Sequence, residues 1–485
     1  MAGSVRKYRY EQLAQELVRL IESGTFRPGA RLPSIRQLSR QKQVSISTVM
    51  QSLYLLEAQG WIEARPRSGF YVCTMLPSAL PEPDVSSPEP DASKVSMREL
   101  VTRVVLADTH NPNLVQLGAA HPNPALAATQ QLNRLLITVA RRLGDESGLY
   151  DYVPGTEVLR IQIARRALAA GCSLGPDDIL ITSGCTESVN ICLRAVSRPG
   201  DTVAIESPIS FDALQCLEAL GLKALEIPTH PRDGISLDAL RFAVEHNPVS
   251  ACLVISNFNN PLGSCIPDDN KKELVHLLAE HDIPLIENDI FGDLYFDDRR
   301  PLVAKAYDRK GMVMLCSSFS KSLCPGYRVG WVVPGRFKET VQWLKYTSSL
   351  ASSTLPEYAI AEFLESGSCD PYLRRVRRAY ARRVASLSQM VRHSFPEEIK
   401  LTRPAGGFLL WVQLPDSVDS LELYRLALDA GVAITPGYLF SATDQYRNFI
   451  RLNAANWSTE AERAVSRLGE LVGELAKGSV SRGVS

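Results

Sequence analysis

The sequence predicts a small N-terminal winged helix-turn-helix followed by a large α/β body with a mostly parallel sheet. Three observations lead there. Residues 1–73 hold three helix-length apolar stripes and then a hairpin pattern. Residues 74–96 are rich in Pro and acidic side chains. From residue 97 to 485, short apolar runs alternate with amphipathic stretches of helix length, the signature of strand–helix units in a parallel sheet. A chain of 485 residues holds two to four domains at roughly 100–200 residues each.

In the head, Leu13, Leu17, Leu20 and Ile21 recur at helical spacing, and Gly24 ends that helix. Ser34-Ile-Arg-Gln37 is a capping-box pattern that opens a second short helix with Leu38 inward. Ser45 or Ser47 can cap a third helix with an inward stripe of Val49, Leu53 and Leu56, stopped by Gly60. Trp61 to Val72 then reads as two short strands around a tight turn. Ser45, Ser47, Thr48 and Gln51 begin the third helix, where hydroxyls suit phosphates and Gln suits an adenine edge. Arg31, Ser34 and Arg36 precede that helix, and Arg65, Arg67, Ser68 and Gly69 form the wing tip.

Charge points the same way. Lys and Arg number 53, and so do Asp and Glu. The zero is a sum of unlike parts: residues 1–73 carry +6, residues 74–96 carry −3, and the remainder carries −3. The positive charge sits on the helix-turn-helix segment, as DNA binding requires.

The stretch 74–96, with Pro77, Pro81, Pro83, Pro88 and Pro90, has too little apolar surface to repay ordering and reads as a linker. Its Pro-rich part would reach roughly 25 Å as coil and up to about 60 Å as polyproline II. Beyond it, the apolar runs Ile179–Thr182, Thr202–Ile205, Cys252–Ile255, Pro284–Ile286, Val313–Cys316 and Val329–Val333 are the expected strands. A hydrophobic content of 45% with 22% charged residues excludes a disordered or collagen-like chain. No apolar run approaches the ~20 residues of a membrane helix. The N-terminus MAGSVRKYRYEQ has no apolar core of a secretory signal. Ten scattered cysteines, with no C-x-x-C pair and no His at ligand spacing, argue against a metal site and for a reducing cytoplasm.

Ligands on parallel sheets bind beyond the carboxyl ends of strands, and the chemically informative residues follow the apolar runs. Ser317-Ser-Phe-Ser-Lys-Ser-Leu-Cys-Pro-Gly-Tyr-Arg-Val-Gly-Trp331 sets a Lys among serines, with an Arg seven residues on. A Lys amine can form a Schiff base with an aldehyde, and Ser318, Ser320 and Arg328 can bind a phosphate. Alone, Lys321 is better read as a helix-cap lysine. Ser183-Gly-Cys-Thr-Glu-Ser188 follows another strand and opens a helix, an anion site. Asn260-Pro-Leu-Gly263, Ile286-Glu-Asn-Asp-Ile-Phe291 and Phe449-Ile-Arg-Leu-Asn453 follow or form further strands.

Two resemblances emerge from these motifs. Residues 8–73, through Gly29-Ala-Arg-Leu-Pro-Ser-Ile-Arg-Gln-Leu, Val44-Ser-Ile-Ser-Thr-Val and Leu55-Leu-Glu-Ala-Gln-Gly-Trp-Ile, resemble the GntR-type DNA-binding domain. That resemblance implies DNA contacts at Arg36, Ser45, Ser47 and Gly69, with Ile46 and Met50 where some relatives carry Arg. Residues 110–475 resemble fold-type I aminotransferases that depend on pyridoxal phosphate, with a smaller C-terminal α+β subdomain. It implies Lys321 as the Schiff-base lysine. Gly184, Cys185, Thr186, Ser318, Ser320 and Arg328 would hold the phosphate, and Asn260 the ring hydroxyl. Arg451 would bind an α-carboxylate, and Tyr150 would reach a neighbouring subunit's phosphate. Asn288 stands where the family has the Asp that protonates the pyridine nitrogen, with Asp289 next to it. Phe291 stands for a Tyr, and Ser210 for the stacking aromatic, with Phe211 beside it. A one-residue shift could restore each of these except Phe291.

Together the parts resemble the MocR type of transcription regulator. This implies double-stranded DNA with paired half-sites, a homodimer, pyridoxal phosphate, and a small amine or amino-acid effector that takes the place of Lys321 and closes the small subdomain. Two other readings stand beside it: a working aminotransferase carrying a DNA-binding domain, and a DNA-binding dimer whose body is only a scaffold.

Overall fold

The computed structural model describes residues 9–22, 25–26, 29–58, 61–65, 68–72, 80–106, 111 and 113–478. Gly24, Gly60, Arg67, Cys73 and the linker residues 74–79 lie outside the described residues. Among the described residues, no helix is long and apolar enough to cross a membrane.

The head contains α1 (Arg9–Glu22), α2 (Ile35–Lys42), α3 (Ile46–Ala58) and an antiparallel hairpin of β1 (Ile62–Arg65) and β2 (Gly69–Val72). Leu13, Leu17, Ile21, Leu38, Val49, Leu53 and Leu56 bury against Ile62 and Val72, so the stripes read from spacing are the core. The capping box forms: the Gln37 amide donates to Ser34 Oγ at 3.3 Å, and the Ser34 amide donates to Gln37 Oε1 at 3.1 Å. For α3 the cap is Ser45, whose Oγ accepts from the Thr48 amide at 3.2 Å. Gly69, at φ +110°, allows the tight wing turn.

The body begins with β3 (Ser93–Lys94), α4 (Arg98–Val101), β4 (Val115–Gln116), α5 (Thr129–Leu143) and α6 (Glu157–Ala167). Then strands and helices alternate: β5 (Leu180–Thr182), α7 (Cys185–Val196), β6 (Thr202–Ser207), α8 (Phe211–Ala219), β7 (Lys223–His230), β8 (Gly234–Ile235), α9 (Leu237–His246), β9 (Val249–Val254), α10 (Asp268–Glu280), β10 (Leu285–Asn288), β11 (Val313–Ser318) and β12 (Gly330–Val333). The strand order is β3-β7-β6-β9-β10-β11-β12-β5, and β7 through β11 run parallel. All six apolar runs named above are strands. Strand β7 is absent from that set because Lys223, Glu226 and Pro228 break its apolar run, although Glu226 is buried.

After β12 come α11 (Lys338–Ser349), α12 (Thr354–Glu365) and α13 (Cys369–Ser394). The smaller subdomain follows, with β13 (Lys400–Leu401), β14 (Leu409–Gln413), α14 (Ser420–Asp429), β15 (Val432–Ala433), β16 (Thr435–Pro436), β17 (Phe449–Asn453) and α15 (Thr459–Ala476). Its sheet is antiparallel in the order β13-β14-β17-β16, which is the α+β arrangement expected.

The linker expectation changes at its C-terminal half. Residues 82–96 lie along the body. Ser86 Oγ accepts from the Thr229 amide at 2.7 Å and donates to Ser207 O, and β3 pairs with β7. Glu82 pairs with Arg232 and accepts from the Arg403 amide at 3.2 Å, while Asp84 pairs with Lys400. The segment therefore touches both the large sheet, at Ser207 and Thr229, and the edge of the small subdomain, at Lys400 and Arg403. Backbone pairing and specific charge contacts supply here what apolar burial does not.

Candidate functional site

Lys321 lies three residues past the end of β11 and lines a cavity together with Cys185, Thr186, Asn260, Asn288 and Phe291. The cavity lies where α7 and α8 begin and where β10 and β11 end, the position parallel sheets reserve for ligands. Lys321 Nζ donates to Ala120 O at 2.7 Å. Burial pushes its pKa down to about 8, and Arg451 and Arg328 reinforce that fall while Asp212 opposes it. More of the amine is then neutral at pH 7 than for an ordinary lysine.

Beside the cavity, at the start of α7, a cradle suits an anion. Arg328 donates through one Nη to Ser320 Oγ at 3.2 Å and through the other to Ser183 O at 3.0 Å. Gly184 caps α7 at φ +94°, and a Cβ there would lie 2.4 Å from an Arg328 Nη. Only glycine admits the guanidinium beside the first free amides of the helix. Ser318 is buried, and its Oγ accepts from the Ser320 amide at 3.3 Å.

Arg451, on β17, is 1% exposed. Its guanidinium donates to Asn260 Oδ1 at 2.9 Å, to Gly118 O at 2.8 Å and to Thr435 Oγ1 at 3.4 Å. All of these acceptors are neutral. Burial lowers its pKa to about 10, against the pull of Asp212. A buried guanidinium with no carboxylate partner among the described residues is costly, and it is poised to gain from one.

Asn288 and Asp289 part company at the end of β10, as successive strand residues must. Asn288 faces the cavity, and its Oδ1 accepts from the Ile290 amide at 3.2 Å and from the Cys185 thiol at 3.3 Å. Asp289 turns the other way. Its carboxylate accepts from Asn257 Nδ2 at 2.8 Å and pairs with Arg300. Arg300 also meets Asp293 at 3.0 Å, and Asp293 meets Arg166 at 3.1 Å. The expectation that Asp289 could serve the cofactor is therefore corrected, since it belongs to a buried ion network. The same shift fails at α8: Ser210 lines the cavity, whereas Phe211 packs edge-on to Phe440 and lies under Arg451. Phe291 is buried edge-on to Phe408. Tyr150 is 67% exposed and leans on Tyr152, outside the cavity of its own chain.

Residues beyond the sequence expectations complete the site. The carbonyls of Gly118 and Ala120 hold Arg451 and Lys321, and a Cβ at Gly118 would lie 2.5 Å from the Ile434 carbonyl carbon. Asp212 lines the cavity from the first turn of α8. Backbone carbonyls give no sequence signal, and a lone acid in a first turn looks like a response to the helix dipole.

In the head, Arg31, Arg36, Ser45, Ser47 and Gln51 are exposed. The Arg31 guanidinium runs beside Gly69, 3.5 Å from where a Cβ would be. Arg65 pairs with Glu63 and stacks on Tyr71, while Ser68 Oγ meets Tyr71 Oη at 2.7 Å. Thr48 Oγ1 meets Ser45 Oγ at 2.8 Å, and Ile46 is 55% exposed at the start of α3.

A winged helix-turn-helix joined to a lysine-bearing α/β body with an anion cradle defines the class. Residues 9–72 match the bacterial regulatory proteins of the gntR family, and residues 112–468 match aminotransferase class I and II. The chain is 39% identical over 469 residues to the uncharacterized HTH-type transcriptional regulator YdcR of Escherichia coli strain K12, covering 96% of this chain and 99% of that one. It is also 39% identical to YjiR of the same strain, over 96% and 98% of the two chains. Among solved structures it resembles LysN, an α-aminoadipate aminotransferase of Thermus thermophilus, at TM-score 0.71 and 26% identity over 76% and 94% of the two chains. The kynurenine aminotransferase of Pyrococcus horikoshii gives TM-score 0.71 and 27% identity over 78% and 94%. The chain belongs to the GntR-family transcription regulators that carry an aminotransferase class I and II body, the MocR-like architecture.

Members of the aminotransferase family typically depend on pyridoxal phosphate, and the residues fit that group. The Gly184 cradle beside Arg328 suits a phosphate, the half-buried Lys321 amine suits an aldehyde, and the Arg451 guanidinium suits the carboxylate of an amino acid.

Proposed function

We propose that this transcription regulator binds pyridoxal phosphate and an amine-bearing effector in its body, and operator DNA through its head as one half of a homodimer. The observation that carries this reading is the pairing, in the body of a chain with a DNA-binding head, of the Lys321 amine lining the cavity with an Arg451 guanidinium that donates to the cavity residue Asn260 and, among the described residues, meets only neutral acceptors. Lys321 would hold the cofactor covalently. Gly184, Cys185, Thr186, Ser318, Ser320 and Arg328 would hold its phosphate, and Asn260 its ring hydroxyl. When bound, pyridoxal phosphate supplies an aldehyde that condenses with amines and a ring that withdraws their electrons. Arg451 would clamp the effector's α-carboxylate. Tyr150, exposed on its own chain, suits the phosphate of a second protomer. The action would be cytoplasmic.

The route from effector to head runs through residues 82–96. Arg451 belongs to the small subdomain's sheet, and its partner Asn260 to a loop of the large sheet. A carboxylate on Arg451 competes with Asn260 Oδ1 and so favours a different seating of the two parts. Glu82 and Asp84 are tied across the same two parts. The effector shifts the head only by the difference in its affinity for the two seatings. Asp84→Lys should therefore keep effector binding, read by cofactor absorbance, while reducing the effector-induced change in DNA affinity about threefold. Its ion pair is 85% exposed on the Asp side and adds little to stability, so the variant should fold. An unchanged response would remove the strap from the route.

DNA binding by the full chain should weaken steeply with salt. Arg36→Ala should lower the slope of log K against log salt by about 1. A slope unaffected by that change would take Arg36 off the DNA.

The enzyme reading is favoured by Lys321, Asn260 and Arg451, which an aminotransferase needs. It is opposed by Asn288 and Phe291, which replace the acid and the phenol around the ring.

A further inference from the structure

Among the described residues, Asp212 and Lys321 are the only charged side chains lining the cavity. The rest of the wall is apolar or neutral, with Val189, Leu253 and Ile255 facing Ser210 and Asn260. Asp212 makes no hydrogen bond or ion pair with the described residues, and it is exposed while lining the cavity. It is also the strongest charge acting on both Lys321 and Arg451. Beside it, Ser210 is small and leaves room that a larger side chain at that N-cap would fill.

Resting on the effector reading above, we propose that the effector is a diamino monocarboxylic acid, its carboxylate on Arg451 and its second ammonium on Asp212. The charge balance selects this class. An ordinary amino acid has one carboxylate for Arg451 and one amine for the cofactor, and brings no cation to Asp212. An acidic amino acid adds a repelled charge. A diamine without a carboxylate leaves Arg451 as it was. Only a ligand with all three groups satisfies the amine position, the guanidinium and the carboxylate together. Unpaired charges in a half-enclosed site are what separate related ligands most strongly.

The test is an absorbance titration of the full-length, cofactor-loaded protein with L-ornithine, L-lysine, L-alanine, L-glutamate and 1,4-diaminobutane. The basic amino acids should bind about tenfold tighter than L-alanine, with L-glutamate and 1,4-diaminobutane weaker than either. Asp212→Asn should bring the ratio of L-ornithine to L-alanine affinity close to one, and Asp212→Glu should keep most of it. Equal binding of neutral and basic amino acids by the wild type, or a ratio unmoved by Asp212→Asn, overturns the proposal and leaves the effector reading standing. A cofactor-loaded protein whose absorbance responds to no amine at all overturns the effector reading, and the proposal with it.

Discussion

Lys321→Ala is expected to bind operator DNA as the wild type does while losing all response to amino acids. The head's core is its own: Leu13, Leu17, Val49, Leu53, Ile62 and Val72 pack with one another, and Lys321 is not among them. The lysine is instead the group on which the body's chemistry rests. Its amine is half-buried, its pKa is lowered to about 8, and among the described residues its one hydrogen bond goes to the Ala120 carbonyl. Removing it abolishes the covalent hold on the cofactor and should lower retention at least about tenfold, although Arg328, Ser320 and the start of α7 still grip a phosphate. The measurement has two arms. Borohydride should bleach an absorbance band near the visible edge in the wild type and leave the reduced chromophore covalently on the denatured chain, and should leave none on the variant chain. DNA affinity, with and without amino acid, should differ in the wild type and coincide in the variant. A Lys321→Ala protein that still answers amino acids like the wild type would leave the body a scaffold. A wild type with no bleachable band would remove the cofactor.

Some of this was legible in the sequence and some was not, for physical reasons. Apolar periodicity reports burial, so the head's stripes and six of the body's strands were visible from it. Strand β7 was not, because Glu226 satisfies its buried carboxylate with Ser207, Ser441 and the Ala442 amide, partners distant in sequence. Composition marked residues 74–96 as a linker. It could not reveal that Asp84 finds the Lys400 cation and that Glu82 finds the Arg232 cation and the Arg403 backbone amide, up to more than 300 residues away. The cradle of Gly184, Ser320 and Arg328 was visible because phosphate chemistry needs those residue types near strand ends. The choice between Asn288 and Asp289 was not, because it depends on which face of the sheet each meets. Arg300 decides it by pairing Asp289 on the far side.

That choice leads to the other large effect. Asn288→Asp should speed conversion of the bound cofactor by an amino acid. In the wild type the amide's orientation is fixed by its neighbours: Oδ1 accepts from the Ile290 amide and the Cys185 thiol, so a flipped amide would set an N–H against those donors. Burial holds the Cys185 thiol well above its usual pKa, so its proton stays available to donate. What remains for the cavity is Nδ2, a donor. A donor facing a pyridine nitrogen favours the unprotonated ring, and an unprotonated ring withdraws electrons weakly. Asp at the same position keeps the acceptor role of Oδ1 and offers a second, charged oxygen that favours a protonated ring. A single electrostatic partner at a reacting centre is worth on the order of 10²-fold in rate. In single-turnover absorbance experiments with an amino acid, Asn288→Asp should convert the bound cofactor to its amine form about that much faster than the wild type, and a keto acid should reverse the change. Phe291 still lacks the phenol, so the gain should fall short of a full enzyme's rate. A wild type that already converts rapidly and reversibly would make the protein an aminotransferase with a DNA-binding head. An unchanged rate in the variant would mean that Asn288 does not govern the ring nitrogen, and that the block to turnover lies in how Lys321 and Arg451 hold the amino acid.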